Sequence, residues 1–282
     1  MEKIRALQGM EEFKEYCEKL ARTAENMKKL GLKKFPLPNL IFAADPGCGV
    51  TLHIRLLTDL LKELKFLPFT GEEECFEWTI SNEKDSINSL ILRMRRAAGF
   101  YGKFCGVAGL DVSTLVYDRD EVPPMDRLME LMESRQGQVL FILILPLQKT
   151  ESMQSQLKGR FASFTPVELI HMPFPVAEAQ YYITDELFSR GFVVTDSAQK
   201  ALKRAVQALS KSSSFEGYQT LRNLTDEIIW HKLSQPLLTD EEITAKDVQF
   251  ILGDHGFITT LNAHGVRPVR RRVGFGEGDA QA

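Results

Sequence analysis

The chain has 282 residues, 44% of them hydrophobic and 26% charged, with a formal net charge of -3. This composition is typical of a folded protein with one large or two smaller domains, and it provides no overall field to attract nucleic acid or a membrane. The four cysteines form no C-x-x-C pair, which excludes a zinc knuckle and favours the cytoplasm over an oxidising compartment. The first residues, Met1–Arg5, lead into a charged helix rather than a signal peptide, and the longest apolar run, Val139–Leu147, is too short to span a bilayer.

Apolar runs alternate with helical periodicity over the first 175 residues. Met10–Leu30 has apolar residues at helical spacing, and Gly31 ends this predicted helix. Three further helices are predicted. One begins after Gly49, and the others cover Asp85–Ala98 and Met125–Ser134. The predicted strands are Asn39–Ala43, Glu74–Ile80, Phe104–Leu110, Val139–Leu145 and Glu168–Met172. Because the strands are continuous apolar runs separated by helices, the sequence predicts an α/β fold with a parallel sheet flanked by helices on both faces.

The alternation stops near Pro175, and helical segments follow it. The predicted helices are Val176–Arg190, Asp196–Leu209, Glu216–Leu233 and Lys246–Leu252. The sequence therefore predicts three regions: an α/β domain over residues 1–175, a small all-helical domain over residues 176–252 and a basic tail over residues 253–282. The tail carries Arg267, Arg270, Arg271 and Arg272.

The segment from Leu40 to Thr51 has the organisation of a phosphate-binding loop, with an apolar strand, a glycine turn and the start of an amphipathic helix. Such a loop reads G-x-x-x-x-G-K-[ST]: backbone N–H groups hold the phosphates and the lysine reaches the β- and γ-phosphates. Here Ala44 stands at the first glycine and Val50 stands at the lysine. The candidate nucleotide-binding residues are Asp45, Pro46, Gly47, Cys48, Gly49, Val50 and Thr51. The alternative is a strand–turn–helix junction whose glycines serve only the turn.

A second motif is the apolar strand that ends at Asp111. A carboxylate at the end of such a strand can hold Mg²⁺, directly or through water, and Thr51 is the matching hydroxyl ligand. The alternative is that Asp111 caps a turn where the strand ends. Both interpretations are open at the level of sequence.

Together these motifs give the chain a resemblance to the AAA+ ATPase family, closest to the branch of red-type Rubisco activase and stage V sporulation protein K. The resemblance covers about Leu7–Val248 and depends on the order and spacing of its motifs. The motifs are Ala44–Thr51, Gly106–Asp111, Leu128–Arg135, Val139–Leu145, Leu157–Phe161 and Phe215–Leu224. It implies a P-loop NTPase-like nucleotide-binding domain followed by a helical lid. It also implies assembly into rings with ATP and Mg²⁺ between neighbouring subunits.

The resemblance also implies roles for two arginines. Arg160 is similar to the finger that reaches a neighbour's γ-phosphate, and Arg222 is similar to a lid arginine that contacts nucleotide within its own subunit. The alternatives are a surface arginine paired with a carboxylate for Arg160 and a salt bridge on a helix face for Arg222. In the family a glutamate after the strand aspartate positions the attacking water. Val112 stands there in this chain and cannot orient water.

The positions of the lysine and of the glutamate, Val50 and Val112, are therefore both apolar. The stretch Thr79–Asp85 also lacks the aromatic–hydrophobic–glycine triplet with which remodelling members of the family grip polypeptide. The sequence predicts an AAA+ protein without ATPase activity that binds ATP or ADP weakly or not at all. It would serve as a scaffold, regulator or inert subunit in a ring with itself or an active paralogue, with an unknown protein client. One alternative is an active ATP-dependent remodelling ATPase. The other is a nucleic-acid-associated module that uses the arginine-rich tail.

Overall fold

The chain divides into two compact units, Met1–Pro175 and Val176–Ala282. The computed structural model describes residues 1–7, 9–32, 37–81, 83, 85–114, 123–147, 159, 167–212, 214–236 and 240–253. None of the helices in these ranges combines the length and the apolar character needed to cross a membrane. Each unit is described by itself.

The first unit is built on a five-stranded sheet with the strand order β2-β3-β4-β1-β5. The strands are β1 (Asn39–Ala44), β2 (Cys75–Thr79), β3 (Gly106–Asp111), β4 (Val139–Pro146) and β5 (Val167–Met172). Every neighbouring pair is parallel, which confirms the predicted parallel α/β sheet. The register places Ala44 beside both Pro146 and Met172, so β1, β4 and β5 end at the same edge of the sheet.

Helices cover both faces of this sheet. The helices are α1 (Glu2–Arg5), α2 (Glu11–Leu30), α3 (Val50–Glu63), α4 (Ser86–Ala98) and α5 (Pro123–Ser134). Alternation along the strands decides which side chains meet which helices. Phe42 and Ile142 join the core that contains α2 and α3, whereas Ile41 and Phe141 join the core that contains α4 and α5. The strands are apolar on both faces because each face is covered.

Glycines allow close approach to β3 at two positions. A Cβ atom at Gly109 would lie 2.6 Å from the Cδ1 atom of Ile54, so α3 packs directly on the backbone of β3. A Cβ atom at Gly106 would clash with the backbone carbonyl oxygen of Glu74. At Gly109 the close atom is the end of a side chain, which can move, whereas at Gly106 it is main chain, which cannot move as easily. Alanine substitutions at the two positions should therefore differ in their effect on stability.

We expect Gly109→Ala to lower the free energy of unfolding by about 1–3 kcal/mol, the usual cost of overpacking a core. Ile54→Val removes the obstructing Cδ1 atom and should recover part of that loss when the two substitutions are combined. Gly106→Ala should be destabilising both with and without Ile54→Val. Urea unfolding of the single and double variants measures the coupling, and simple additivity of Gly109→Ala and Ile54→Val would contradict the packing argument.

The second unit contains helices α6 (Ala179–Ser189), α7 (Asp196–Leu209), α8 (Tyr218–Leu233) and α9 (Ala245–Gly253). It also contains the strands β6 (Val193–Val194) and β7 (Glu242–Ile243), which pair in parallel. The prediction of an all-helical second domain was therefore wrong in this detail. Two residues are too few to show alternation, so the sequence pattern did not reveal these strands.

Candidate functional site

The glycine turn, residues Asp45–Gly49, follows β1 at the carboxyl edge of the sheet. The connection that leaves β1 leads toward β2, whereas the connection that leaves β4 crosses β1 to reach β5 on the other side. Because β1 and β4 are neighbours, the strand order reverses between them. Ligands of open α/β sheets bind outside the carboxyl ends of the strands at such a reversal. The topology therefore places the glycine turn where a ligand site is expected.

The backbone of the turn is shaped by its glycines. Gly47 has a φ of 70° and Gly49 a φ of 83°, both in the left-handed region that favours glycine. Gly49 directly precedes α3, which begins at Val50 without a side-chain cap. The first N–H groups of α3 have no partner within the helix, and this helix end carries a partial positive charge. The backbone thus has the local geometry of an anion-binding turn.

Hydrogen bonds tie the turn to the ends of the neighbouring strands. The backbone N–H of Asp45 donates to the carbonyl of Met172 at 3.1 Å, and the N–H of Leu147 donates to the carbonyl of Ala44 at 3.1 Å. The Asp45 carboxylate accepts from the backbone N–H of Phe174 at 3.0 Å. Asp45 therefore holds the segment after β5 against the turn.

The side chains of the turn are neutral or acidic. Val50, at the lysine position, is half-buried and packs against the core that contains α2 and α3. Cys48 is buried, and burial, assisted by the Asp45 carboxylate, raises the pKa of its thiol to about 12. The thiol therefore stays protonated at neutral pH and is a poor nucleophile. Thr51 is exposed in the first turn of α3.

The fourth residue of α3, His53, fixes the turn from the core side. Its Nδ1 atom lies 2.8 Å from the carbonyl oxygen of Gly49, and its ring meets the ring of Phe13 edge-on with centroids 4.8 Å apart. The side chain is buried, and its Nε2 atom has no hydrogen-bond partner. Burial lowers the pKa of His53, and the bond to Gly49 offsets this only in part. His53 is therefore neutral, with Nδ1 donating to Gly49. In the sequence, the position of His53 on the apolar stripe of α3 is the signal that could have indicated its burial.

The pKa of His53 predicts a pH dependence of stability. Because the folded-state pKa is lowered, the unfolded chain takes up a proton at a higher pH than the folded chain does. The contribution is fully present above the unfolded pKa of about 6.5 and is lost as the pH falls below it. We expect the free energy of unfolding to decrease between about pH 7 and pH 5 and to decrease less in His53→Gln. Urea unfolding across this range tests it, with His171→Gln, at a half-buried histidine of β5 that pairs with Glu12, as the control. Equal slopes in the wild type and His53→Gln would contradict the prediction.

Asp111 lies at the same edge of the sheet as the glycine turn. It ends β3, and β4 separates β3 from β1, so the two strand axes are about 10 Å apart. Val107 belongs to the core with α3 and Gly109 meets Ile54, so alternation places Asp111 on the α3 face as well. Its Oδ1 atom accepts from the backbone N–H of Ser113 at 3.0 Å. Asp111 thus makes the capping bond of the second interpretation while lying on the face where a metal ligand is needed.

Val112, which the sequence resemblance places at the position of a water-orienting glutamate, is fully buried. It belongs to the core with α4 and α5, and its backbone N–H donates to the carbonyl of Ile144 at 3.2 Å. The position is therefore part of the hydrophobic core on the face opposite to α3.

The remaining predicted residues are not joined to this site. Arg160 and the arginines of the tail lie outside the described residues. Arg222 is exposed on α8, where its hydrogen bond with Tyr182 of α6 is the largest cause that raises the pKa of its guanidinium. Glu186 and Asp226 add smaller contributions of the same sign. Within the described ranges, no group of three or more His, Cys, Asp or Glu side chains could hold a metal ion by itself.

Comparison with known proteins assigns the chain to no family. No protein-family model matches it, and a search of curated proteins also finds no match. The fold and the site define an α/β protein with a parallel sheet, in which a left-handed glycine turn opens a helix at the point where the strand order reverses.

Proposed function

We propose that this protein belongs to the AAA+ lineage, that it has lost ATP hydrolysis, and that it serves as a scaffold or regulatory subunit of a ring. The ring partner would be a second copy or an active paralogue. One observation carries the proposal: the glycine turn lies where a nucleotide phosphate is expected, while Val50 packs against the core at the position of the lysine. The order and spacing of the sequence motifs support the lineage. The second unit is its proposed lid.

Binding of phosphate and hydrolysis of ATP require different groups. The backbone N–H groups and the helix dipole still attract an anion, the dipole by about 0.3–1 kcal/mol per charge. Hydrolysis also needs charge compensation on the transferred phosphoryl group and an oriented water molecule. Val50 and Val112 supply neither, and Val112 lies within the core. Weak binding of ATP or ADP without turnover is the outcome that this arrangement supports.

Calorimetry with ATP and with ADP, each with and without Mg²⁺, tests binding, and a phosphate-release assay on the same preparation tests turnover. We expect no turnover near 1 s⁻¹, a rate at the low end of the usual range for enzymes. Any heat of binding should be lost in Gly49→Val, which obstructs the turn, and its Mg²⁺ dependence should be lost in Thr51→Ala. Turnover of about 1 s⁻¹ or more that is abolished by Asp111→Ala would reject the proposal in favour of an active ATPase.

A further inference from the structure

An exposed aromatic side chain lies at the amino edge of the sheet, opposite to the glycine turn. Phe100 belongs to the short 3₁₀ helix Gly99–Tyr101, between α4 and β3, and is fully exposed. Gly102 follows it with a φ of 69°. The backbones of Thr70 and Cys105 exchange two hydrogen bonds of 3.1 Å just beyond this turn. The turn that presents Phe100 is therefore anchored at its base.

Three basic residues lie close to Phe100 in sequence, and the carboxylate of Glu72 lies beside Gly99. Arg95 and Arg96 are exposed in the last turn of α4, and Lys103 is exposed after the 3₁₀ helix. None of these three forms an ion pair with another described residue. Burial of a phenylalanine side chain contributes about 1.5–3 kcal/mol, so leaving Phe100 in water forgoes that stabilisation. We call Arg95, Arg96, Phe100 and Lys103 the basic knob.

A groove of opposite character lies between α1 and the second half of α3. It is open to solvent and has a volume of about 510 Å³. Its apolar lining includes Ile4, Leu56 and Leu60. Its charged side chains are Glu2, Asp59, Glu63 and Lys3, and Met1 with its terminal amino group also lines it. We call this set of residues the acidic groove.

The knob and the groove lie at the same edge of the sheet but on opposite faces. In a parallel sheet each crossover helix runs back from the carboxyl edge to the amino edge, so α3 and α4 both end near the amino edge. The ion pair between Lys62, near the end of α3, and Glu74, just before β2, agrees with this direction. The core that contains α3 and the core that contains α4 are on different faces. The sheet therefore separates the knob from the groove within one chain.

We propose that the basic knob of one copy enters the acidic groove of a second copy. Phe100 would fill the apolar part, and Arg95, Arg96 and Lys103 would face Glu2, Asp59 and Glu63. The contact is heterologous because it joins two different surfaces, so it repeats from copy to copy and gives a ring if the rotation closes or a filament if it does not. It supplies a contact for the scaffold proposed above and does not involve nucleotide. Association measured without nucleotide therefore tests it separately from the ATP site.

Sedimentation of the full chain at low salt, without nucleotide, provides the first test. We expect association at about 100 µM protein, weakening as salt screens the charges. The dissociation constant should rise at least about tenfold in Phe100→Ser, in Arg95→Glu with Arg96→Glu, and in Asp59→Arg with Glu63→Arg. All of these residues are exposed, so the fold should be retained. Phe188→Ser, at an exposed phenylalanine of the second unit, is the matched control and should associate like the wild type.

Mixing provides the second test. The Arg95→Glu, Arg96→Glu chain keeps its groove, and the Asp59→Arg, Glu63→Arg chain keeps its knob. An equimolar mixture should associate again, because the knob of each chain matches the groove of the other chain in charge. All four substitutions in one chain should restore association. A monomeric wild type, an equal loss in Phe188→Ser, or a mixture that stays monomeric would overturn the proposal.

Discussion

Val112→Glu is expected to lower the free energy of unfolding by about 3 kcal/mol or more and to leave the protein without ATPase activity. Val112 is fully buried in the core with α4 and α5, so the new carboxyl group would enter an apolar environment. A buried carboxyl group without a partner avoids ionisation by a raised pKa, and even its neutral form loses hydrogen bonds with water. A glutamate at this position should therefore damage the fold before it can take part in catalysis.

The dependence of this loss on pH separates charge from size. A raised folded-state pKa means that the unfolded chain ionises first, so the loss should grow as the pH rises above about 4.3, the ordinary glutamate value. Val112→Gln has a similar size and no charge, so its loss should stay constant over the same range. Urea unfolding of both variants between about pH 4 and pH 8 gives the comparison. Parallel curves for the two variants, or stability equal to the wild type in Val112→Glu, would show that this position is not a closed core position.

A glutamate at position 112 is therefore incompatible with the packing of this core. A valine on the surface could be replaced by glutamate at little cost, whereas at Val112 the helices α4 and α5 would need to repack around a polar group. Burial distinguishes the two valines, Val50 and Val112. Val50 is half-buried beside the turn, where a long side chain can still reach solvent, and Val112 is not.

Much of the first unit could be predicted because its signals are local. Strand β1 was predicted as Asn39–Ala43 and extends one residue further, and α2 ends where Gly31 takes the left-handed conformation. Continuous apolar runs mark strands that are covered on both faces, and this pattern needs no knowledge of the partners. The two-residue strands β6 and β7 could not be predicted, because segments this short have no visible period.

The candidate site was predicted only as far as its backbone. The spacing of Gly47 and Gly49 predicted the turn, and both adopt positive φ. The contacts that hold the turn in place involve residues that are distant in sequence. Asp45 accepts from the backbone of Phe174, 129 residues away, and His53 packs on Phe13 from another helix. Such contacts arise from the order of the strands, which a single sequence does not state.

Val50→Lys is expected to tighten the binding of Mg·ATP by about 10-fold to 100-fold while hydrolysis remains absent. A hydrogen bond to a charged group contributes about 1.5–3 kcal/mol, and 1.4 kcal/mol corresponds to a factor of ten in affinity. Val50 is the first residue of α3, and it is only half-buried, so a lysine there can keep its stem on the core and extend its ammonium group to the turn. Hydrolysis should stay absent because Val112 still cannot orient water.

Calorimetry on the wild type, Val50→Lys and Val50→Met separates the effect of charge from that of side-chain length. Methionine is long and flexible but uncharged, so Val50→Met should bind nucleotide no more tightly than the wild type. The gain in Val50→Lys should shrink with added salt and should be larger for ATP than for AMP, because the lysine of such a loop acts on the β- and γ-phosphates. If Val50→Lys binds no better than Val50→Met, the turn does not present its N–H groups to a phosphate. The proposed nucleotide-binding ancestry would then lose its main physical support, since a restored charge should act at once on a backbone that is already in place.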